Sequence, residues 1–128
     1  MKNIMAVDVG LKRIGIAKCV NNIPLPMSPI FRKNRNQAAK ELQDLIIKSD
    51  IEVLIVGIPQ KNFTAETRIK HFIGLLDLPK GVEICFIDES FSSIEALERI
   101  QGSKRDRKKD GTLDSIAALV ILERYLVC

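Results

Sequence analysis

The stretch that most limits the fold is the nearly continuous aliphatic run Ile51–Gly57, which ends in the turn residues Gly57-Ile-Pro59. Such a run predicts a strand covered on both faces, as the central strands of parallel sheets are. A second aliphatic run, Val82–Ile87, predicts a similar strand. Because strands of this kind need helices on both sides of the sheet, the chain is expected to be an α/β protein.

The N-terminal quarter predicts three strands that pair antiparallel. Two β-rich runs, Ile4–Val9 and Ile14–Val20, flank Gly10–Arg13, which predicts a hairpin whose glycine can adopt a positive φ. The next extended run, Ile23–Phe31, holds three prolines. We expect it at a sheet edge, because proline has no N–H to donate to a neighbouring strand.

Helical spacing of apolar residues predicts four helices in the rest of the chain. They are expected over residues 36–49, from an N-cap at Thr64 to Asp77, from Ser93 to Ile100, and from about Thr112 onward. Parallel strands joined by helices cross over right-handedly, so the later strands extend the sheet from the first one. The expectation is a single domain, residues 1–128, with a mixed α/β sheet and helices on both faces.

Three acidic residues fall where this topology gathers functional groups. Ligands in such sheets bind beyond the carboxyl ends of the parallel strands, where Asp8 and the pair Asp88-Glu89 are expected. Asp114 lies in the first turn of the last predicted helix. Asp8, Glu89 and Asp114 would repel one another without a cation between them, and carboxylate oxygens suit Mg²⁺ or Mn²⁺. Two such ions about 3.5–4 Å apart can activate a water for in-line displacement at phosphorus.

Each acid also has a structural interpretation. Asp8 could form an Asx-type turn before Gly10, and Glu89 could be a solvated residue at a strand end. Asp114 could simply interact favourably with the dipole of its helix. Without a metal site, three separate structural explanations would have to hold at once. The pattern of acids therefore favours a single metal site, and its chemistry suits a phosphodiester substrate.

The excess positive charge is concentrated in one segment. Residues 104–109 carry five basic side chains and one acidic one, which accounts for the formal net charge of +4 of the whole chain. Clustered lysines and arginines release counterions from a nucleic-acid backbone and so supply affinity for it. A solvated loop is the structural alternative. The candidate phosphate-binding residues are Lys104, Arg105, Arg107, Lys108 and Lys109.

The other residue types indicate a soluble cytoplasmic protein. Three widely spaced cysteines, Cys19, Cys85 and Cys128, form no Cys-x-x-Cys pair and are expected to be reduced thiols. The lone histidine, His71, has no partner at ligand spacing, so we expect a structural or exposed position for it. No apolar run is long enough for a membrane helix, and no membrane partner is expected.

Blocks of sequence that together span nearly the whole chain carry a family resemblance. They are Asp8–Ala17, Val56–Pro59, Asp88-Glu89 with Ser92–Ala96, and Lys109–Leu126 with its segments Asp114–Ala118 and Ile121–Leu126. In these blocks the chain resembles the YqgF (RuvX) family. The resemblance implies an RNase H-like fold whose five-stranded sheet has antiparallel first strands and later strands parallel to the first. It also implies a bacterial cytoplasmic nuclease that processes the 5′ end of pre-16S ribosomal RNA, historically described as a Holliday-junction resolvase.

The same resemblance implies roles for single residues. It makes Asp8, Glu89 and Asp114 the acids that bind the metal, and it makes Lys12 and Arg13 candidates for holding the phosphates of the cleaved strand.

The chain departs from the usual family pattern at three places. Ser90 stands where an arginine is usual, so that phosphate contact is missing or comes from another base such as Arg99 or Arg105. The loop 60–66 lacks the usual Asn-x-x-Gly pattern, and Asp110 stands where a base is more usual. We expect Asp110 to be a loop residue or an auxiliary ligand.

Alternatives from other functional classes stay open at this stage. A resolvase would cut DNA and need two active sites, hence a homodimer, whereas an RNA nuclease could act as a monomer. A non-catalytic RNA-binding factor in ribosome assembly or transcription would keep the basic segment without a metal. Actin-like ATPases and sugar kinases also begin with an Asp-x-Gly hairpin, but they need a second lobe that 128 residues do not hold. RNA is the expected nucleic acid, although phosphates are common to RNA and DNA.

Overall fold

The computed structural model describes residues 3–59, 62–88 and 112–127. Within these residues the chain forms five strands and three helices. The strands are β1 (Ile4–Val9), β2 (Arg13–Val20), β3 (Ile23–Phe31), β4 (Val53–Ile58) and β5 (Glu83–Asp88). The helices are α1 (Arg35–Lys48), α2 (Phe63–Gly74) and α3 (Thr112–Val127). None of these helices has the length and apolar content needed to cross a membrane.

The strands form one mixed sheet in the order β3-β2-β1-β4-β5. The first three strands pair antiparallel, and β4 pairs parallel to both β1 and β5. The predicted central strand β4 is buried along its whole length, and the proline-rich strand β3 lies at a sheet edge. Both sequence predictions about the sheet are therefore confirmed.

Helices cover both faces of the sheet, and alternate residues of each strand point to opposite faces. One face packs against α1 and α2, for example through Met5, Val7 and Leu54. The other face packs against α3, for example through Ile4, Ala6 and Ile55. Because Ile4 and Ala6 share the α3 face, the alternation assigns the next such residue of β1, Asp8, to that face as well.

Short turns use conformations that their residues tolerate. Asn21 and Asn22 connect β2 to β3 with φ values of 56° and 65°, the left-handed pair that a tight hairpin turn requires. Gly10 does not adopt the positive φ that the sequence suggested. A glycine is needed here because the carbonyl oxygen of Arg13 lies close to its Cα. A Cβ at this position would lie 2.6 Å from that oxygen.

Several element ends differ from the sequence predictions because local hydrogen bonds override the apolar pattern. Helix α2 is capped by the Asn62 side chain, which accepts from the backbone N–H of Ala65 at 3.1 Å, and not by Thr64. It ends at Gly74, and the backbone N–H of Asp77 already donates to Gln43 of α1 at 2.8 Å. Strand β4 begins only at Val53, because the N–H of Ile51 donates back to α1.

The remaining sequence predictions fall partly inside the described residues. Cys19 is buried and Cys85 half-buried, both as free thiols, and His71 is exposed on α2. The start of the last helix at Thr112 is confirmed. The predicted helix Ser93–Ile100 and Cys128 lie outside the described residues.

Candidate active site

Asp8 lies inside strand β1 and is only half-buried, although the other residues of that strand are buried. Its backbone belongs to the strand, since Asp8 pairs in register with Gly15 of β2. It lies one residue from the carboxyl end of β1, next to parallel β4. This is the end of the sheet at which the sequence analysis placed the functional groups.

Gly15 of β2 is paired with Asp8 and packs against the beginning of helix α3. A Cβ built on Gly15 would overlap the backbone carbonyl of Asp114 and lie 2.8 Å from the backbone nitrogen of Ser115. Only glycine allows the helix to approach the sheet this closely. Since Gly15 is the register partner of Asp8, the backbone of Asp114 lies against the strand that pairs with Asp8.

Ser115 fixes the start of α3 on the sheet, a role that was not predicted from the sequence. Its side chain is buried, its hydroxyl donates to the carbonyl of Met27 at 2.7 Å, and it accepts from the N–H of Ile16 at 3.4 Å. Ile16 and Met27 are register partners in β2 and β3, next to a register shift between Ile14 and Ile16. The hydroxyl thus links β2 and β3 where their pairing register is irregular. A serine directly before the apolar run Ile116–Leu122 was the available sequence signal.

The β1–β2 hairpin supplies a positive charge to the site. Nε of Arg13 lies 2.8 Å from Oδ2 of Asp114, and the two side chains are 24% and 29% exposed. Arg13 therefore contacts one of the candidate metal ligands directly. Its neighbour Lys12 is exposed, as a residue that binds backbone phosphates must be.

Strand β5 ends directly before the third candidate acid in the sequence. Cys85 and Ile87 pack on the α3 face of the sheet, and Nη1 of Arg124 in α3 donates to the carbonyl of Asp88 at 3.1 Å. Glu89 follows immediately and lies outside the described residues.

The predicted basic residues of the following segment also lie outside the described residues, together with Ser90 and Asp110. They are Arg99, Lys104, Arg105, Arg107, Lys108 and Lys109. Their roles stay predictions.

The donor set of this site fits a hard divalent cation. Asp8 and Asp114 provide carboxylate oxygens at one end of the α3 face, which is the ligand type that Mg²⁺ and Mn²⁺ take. Residues 3–59, 62–88 and 112–127 do not contain three potential metal ligands grouped together. A third ligand would have to come from the rest of the chain, where Glu89 is the candidate.

The chain is similar to a known protein family and to named bacterial proteins. The family model for RuvX, described as Holliday junction resolvase, matches residues 2–127. A Helicobacter pylori (strain J99) protein named "Putative pre-16S rRNA nuclease" is 52% identical over 127 residues, which cover 95% of this chain and 93% of the relative. A Campylobacter jejuni subsp. doylei protein of the same name is 50% identical over 125 residues, which cover 94% of each chain.

Two solved structures share the fold. The fowlpox virus resolvase in complex with Holliday junction DNA matches with a TM-score of 0.58 at 18% identity, over 97% of this chain and 99% of that one. T. thermophilus RuvC in complex with a Holliday junction substrate matches with a TM-score of 0.53 at 10% identity, over 99% and 96%. At these identities the likeness concerns the fold alone, and it confirms the predicted RNase H-like architecture. With the family model matching nearly the whole chain and relatives about half identical to it, this protein belongs to the RuvX family.

Proposed function

We propose that this chain is a metal-dependent endonuclease that hydrolyses phosphodiester bonds and processes the 5′ end of pre-16S ribosomal RNA. The observation that supports the proposal is the close approach of the Asp114 backbone to Gly15, which is the register partner of Asp8. Membership of the RuvX family and the curated name of the relatives support the nuclease activity and the RNA substrate.

In this proposal Asp8, Glu89 and Asp114 hold Mg²⁺ or Mn²⁺, as two ions. When bound, the ions would lower the pKa of a water at the site and neutralise charge that develops on the leaving oxygen. The chain itself positions the carboxylates. Gly15 sets the approach of α3, and Ser115 fixes the helix on β2 and β3.

Basic residues on both sides of the acids bind the substrate backbone in this proposal. Lys12 and Arg13 extend from the hairpin at the end of β1, and Arg13 already pairs with Asp114. A phosphate in the site offers Arg13 a second anionic partner, because a guanidinium has several donors in one plane. The segment 104–109 and Arg99 supply further, sequence-independent contacts to phosphates.

The first experiment measures cleavage of a labelled pre-16S ribosomal RNA fragment and, in parallel, of a four-way DNA junction, with Mn²⁺ or with EDTA. Asp8→Asn keeps the size of the side chain and removes its charge, so it should reduce cleavage by more than about 100-fold while the protein stays folded. Asp77→Asn is the matched control, because Asp77 is exposed after α2 on the other side of the sheet.

Each outcome distinguishes the proposal from its alternatives. Metal-dependent and Asp8-dependent cutting of the RNA alone supports the ribosomal nuclease, and cutting of the junction alone supports a resolvase. Salt-sensitive binding without cutting supports a non-catalytic RNA-binding factor. A non-catalytic factor needs no metal site. Mn²⁺ binding that is measured by calorimetry in the wild type and lost in Glu89→Gln would therefore argue against this alternative.

A further inference from the structure

A second concave surface lies on the α1–α2 face of the sheet, opposite the acids. It is a cavity of about 650 Å³ between the beginning of α1, the beginning of α2 and the β1–β2 hairpin. Among the described residues that line it, none is acidic. The ones that matter for its chemistry are Arg32, Arg35, Arg68, His71, Phe63 and Phe72.

Three arginines at one cavity repel one another. Burial lowers the pKa of the Arg32 guanidinium, and the charges of Arg68 and Arg35 lower it further. Arginine nevertheless stays charged at neutral pH. An anion bound at this cluster would reduce the repulsion, and no acidic side chain is among the described residues that line the cavity.

Arg68 offers a specific donor to such an anion. Its Nη1 atom is buried and has no hydrogen-bond partner among the described residues. A buried donor without a partner is costly, because the group has lost its water without replacing it. An anionic oxygen in the cavity would restore that hydrogen bond.

Arg32 is held in place beside it. Its Nη1 donates to the carbonyl of Gly10 at 2.5 Å, and its guanidinium lies 4.9 Å from the centre of the Phe72 ring. A guanidinium that is held by one hydrogen bond and by a ring has its remaining N–H donors fixed in direction, and such donors can bind a phosphate in bidentate fashion.

The helix directions favour the same ligand. Arg35 is the first residue of α1, and Phe63 is the first residue of α2. The positive ends of two helix dipoles therefore lie at the cavity. Phe63 is 79% exposed, and an exposed ring next to a phosphate site can stack against a nucleic-acid base.

The hairpin connects this cavity to the acids. Gly10 accepts the hydrogen bond of Arg32, Leu11 lines the cavity, and Arg13 pairs with Asp114 on the opposite face. The backbone N–H of Arg32 also donates to the carbonyl of Lys12 at 2.9 Å. A strand that crosses the end of the sheet at this hairpin can contact both sites.

We propose that Arg32, Arg35 and Arg68 bind a phosphate group of the nucleic-acid strand that is cut at Asp8 and Asp114, with Phe63 stacking on an adjacent base. This inference rests on the proposed function. The phosphate is either an internal phosphodiester or a terminal monophosphate, since both present the same oxygens.

The test measures binding by fluorescence anisotropy, in EDTA, with two labelled single-stranded RNA oligonucleotides that differ only in a 5′-phosphate or a 5′-hydroxyl. Arg68→Gln and Arg35→Gln should each weaken binding by about 5- to 20-fold. Each should also reduce by about one the slope of the logarithm of the binding constant against the logarithm of the salt concentration. Arg35 is exposed, so its variant keeps the fold. Phe63→Ala should weaken binding by about 5-fold or more. Lys80→Gln, an exposed charge outside this cavity, is the matched control and should bind like the wild type.

Equal losses with both oligonucleotides identify an internal phosphodiester, and a loss only with the 5′-phosphate identifies a terminal monophosphate. Wild-type affinity in both arginine variants, or an equal loss in Lys80→Gln, overturns the proposal. Cleavage assays separate this result from the proposed function. The arginine variants should raise KM more than they lower kcat, whereas Asp8→Asn should lose cleavage and still bind the oligonucleotides. If Asp8→Asn cleaves normally, the proposed function fails while the phosphate site is still tested by the binding measurements.

Discussion

Arg13 and Asp114 are separated by 101 residues, and Nε of the arginine lies 2.8 Å from Oδ2 of the carboxylate. Each side chain is about a quarter exposed, so water and salt weaken the attraction, and such a pair contributes about 1 kcal/mol or less to stability. The pair joins the β1–β2 hairpin to the first turn of α3. It is weak enough for a divalent cation to take the carboxylate and for a phosphate to take the guanidinium.

Arg13→Gln should therefore have opposite effects on two ligands. Without the arginine, Asp114 has no competing partner in the hairpin and a nearby positive charge is gone, so Mn²⁺ should bind about 3- to 10-fold more tightly. Binding of RNA should weaken by a similar factor, because a phosphate contact is lost. Calorimetry with Mn²⁺ and anisotropy with RNA measure the two effects. Arg13→Lys keeps the charge and is the control. Weaker Mn²⁺ binding in Arg13→Gln would mean that the arginine supports the metal site.

Gly15→Ala should separate Asp114 from Asp8. The added methyl group overlaps the Asp114 carbonyl, so helix α3 must move away from β2, at a cost of about 1–3 kcal/mol in the free energy of unfolding. Cleavage should fall with it, because the relative position of the two acids changes. Urea unfolding and cleavage rates check both expectations.

Gly74→Ala is the matched control for this substitution. A Cβ at Gly74 meets no atom within 4 Å, and alanine favours the helix by up to about 1 kcal/mol over glycine. This variant should be as stable as the wild type or more stable, with unchanged cleavage. An active and stable Gly15→Ala variant would contradict the importance of the close approach.

The order of strands in this sheet is predictable because the central and edge strands differ in residue composition. Aliphatic residues throughout β4 could only be buried on both faces, and the three prolines of β3 could only lie at an edge, and both outcomes are observed. Helix ends were harder to predict. Thr64 and Asn62 are both good N-cap residues, and only the three-dimensional path of the chain selects Asn62.

The candidate site was predictable to a different degree. Asp8 stands out because a carboxylate is rare in a buried strand, and the structure places it at the expected end of the sheet. The roles of Gly15 and Ser115 were not predictable, since each depends on an atom of another element that comes close only after folding. The pairing of Arg13 with Asp114 was missed for the same reason.

Ser115→Ala should destabilise the protein more than a typical serine substitution. It leaves the partly buried carbonyl of Met27 and the buried N–H of Ile16 without the hydroxyl that bridges them, which costs about 1–3 kcal/mol. Because Ser115 adjoins Asp114, cleavage should also fall. Urea unfolding measures the stability, and Ser28→Ala, at an exposed position of β3, is the control and should be nearly neutral. Equal stability of the two variants would show that water replaces the hydroxyl.

Arg124→Gln tests how the end of β5 is held. Arg124 of α3 donates to the carbonyl of Asp88 at 3.1 Å, and the next residue is the candidate ligand Glu89. If Glu89 binds metal, removal of this hydrogen bond loosens the ligand, and Mn²⁺ affinity measured by calorimetry should fall by about 10-fold. Arg124→Lys should recover only part of it, because an ammonium lacks the planar fork. Lys48→Gln, an exposed charge at the end of α1, should bind Mn²⁺ like the wild type. An unchanged Mn²⁺ isotherm in Arg124→Gln would show that the carboxyl end of β5 keeps its position without this contact.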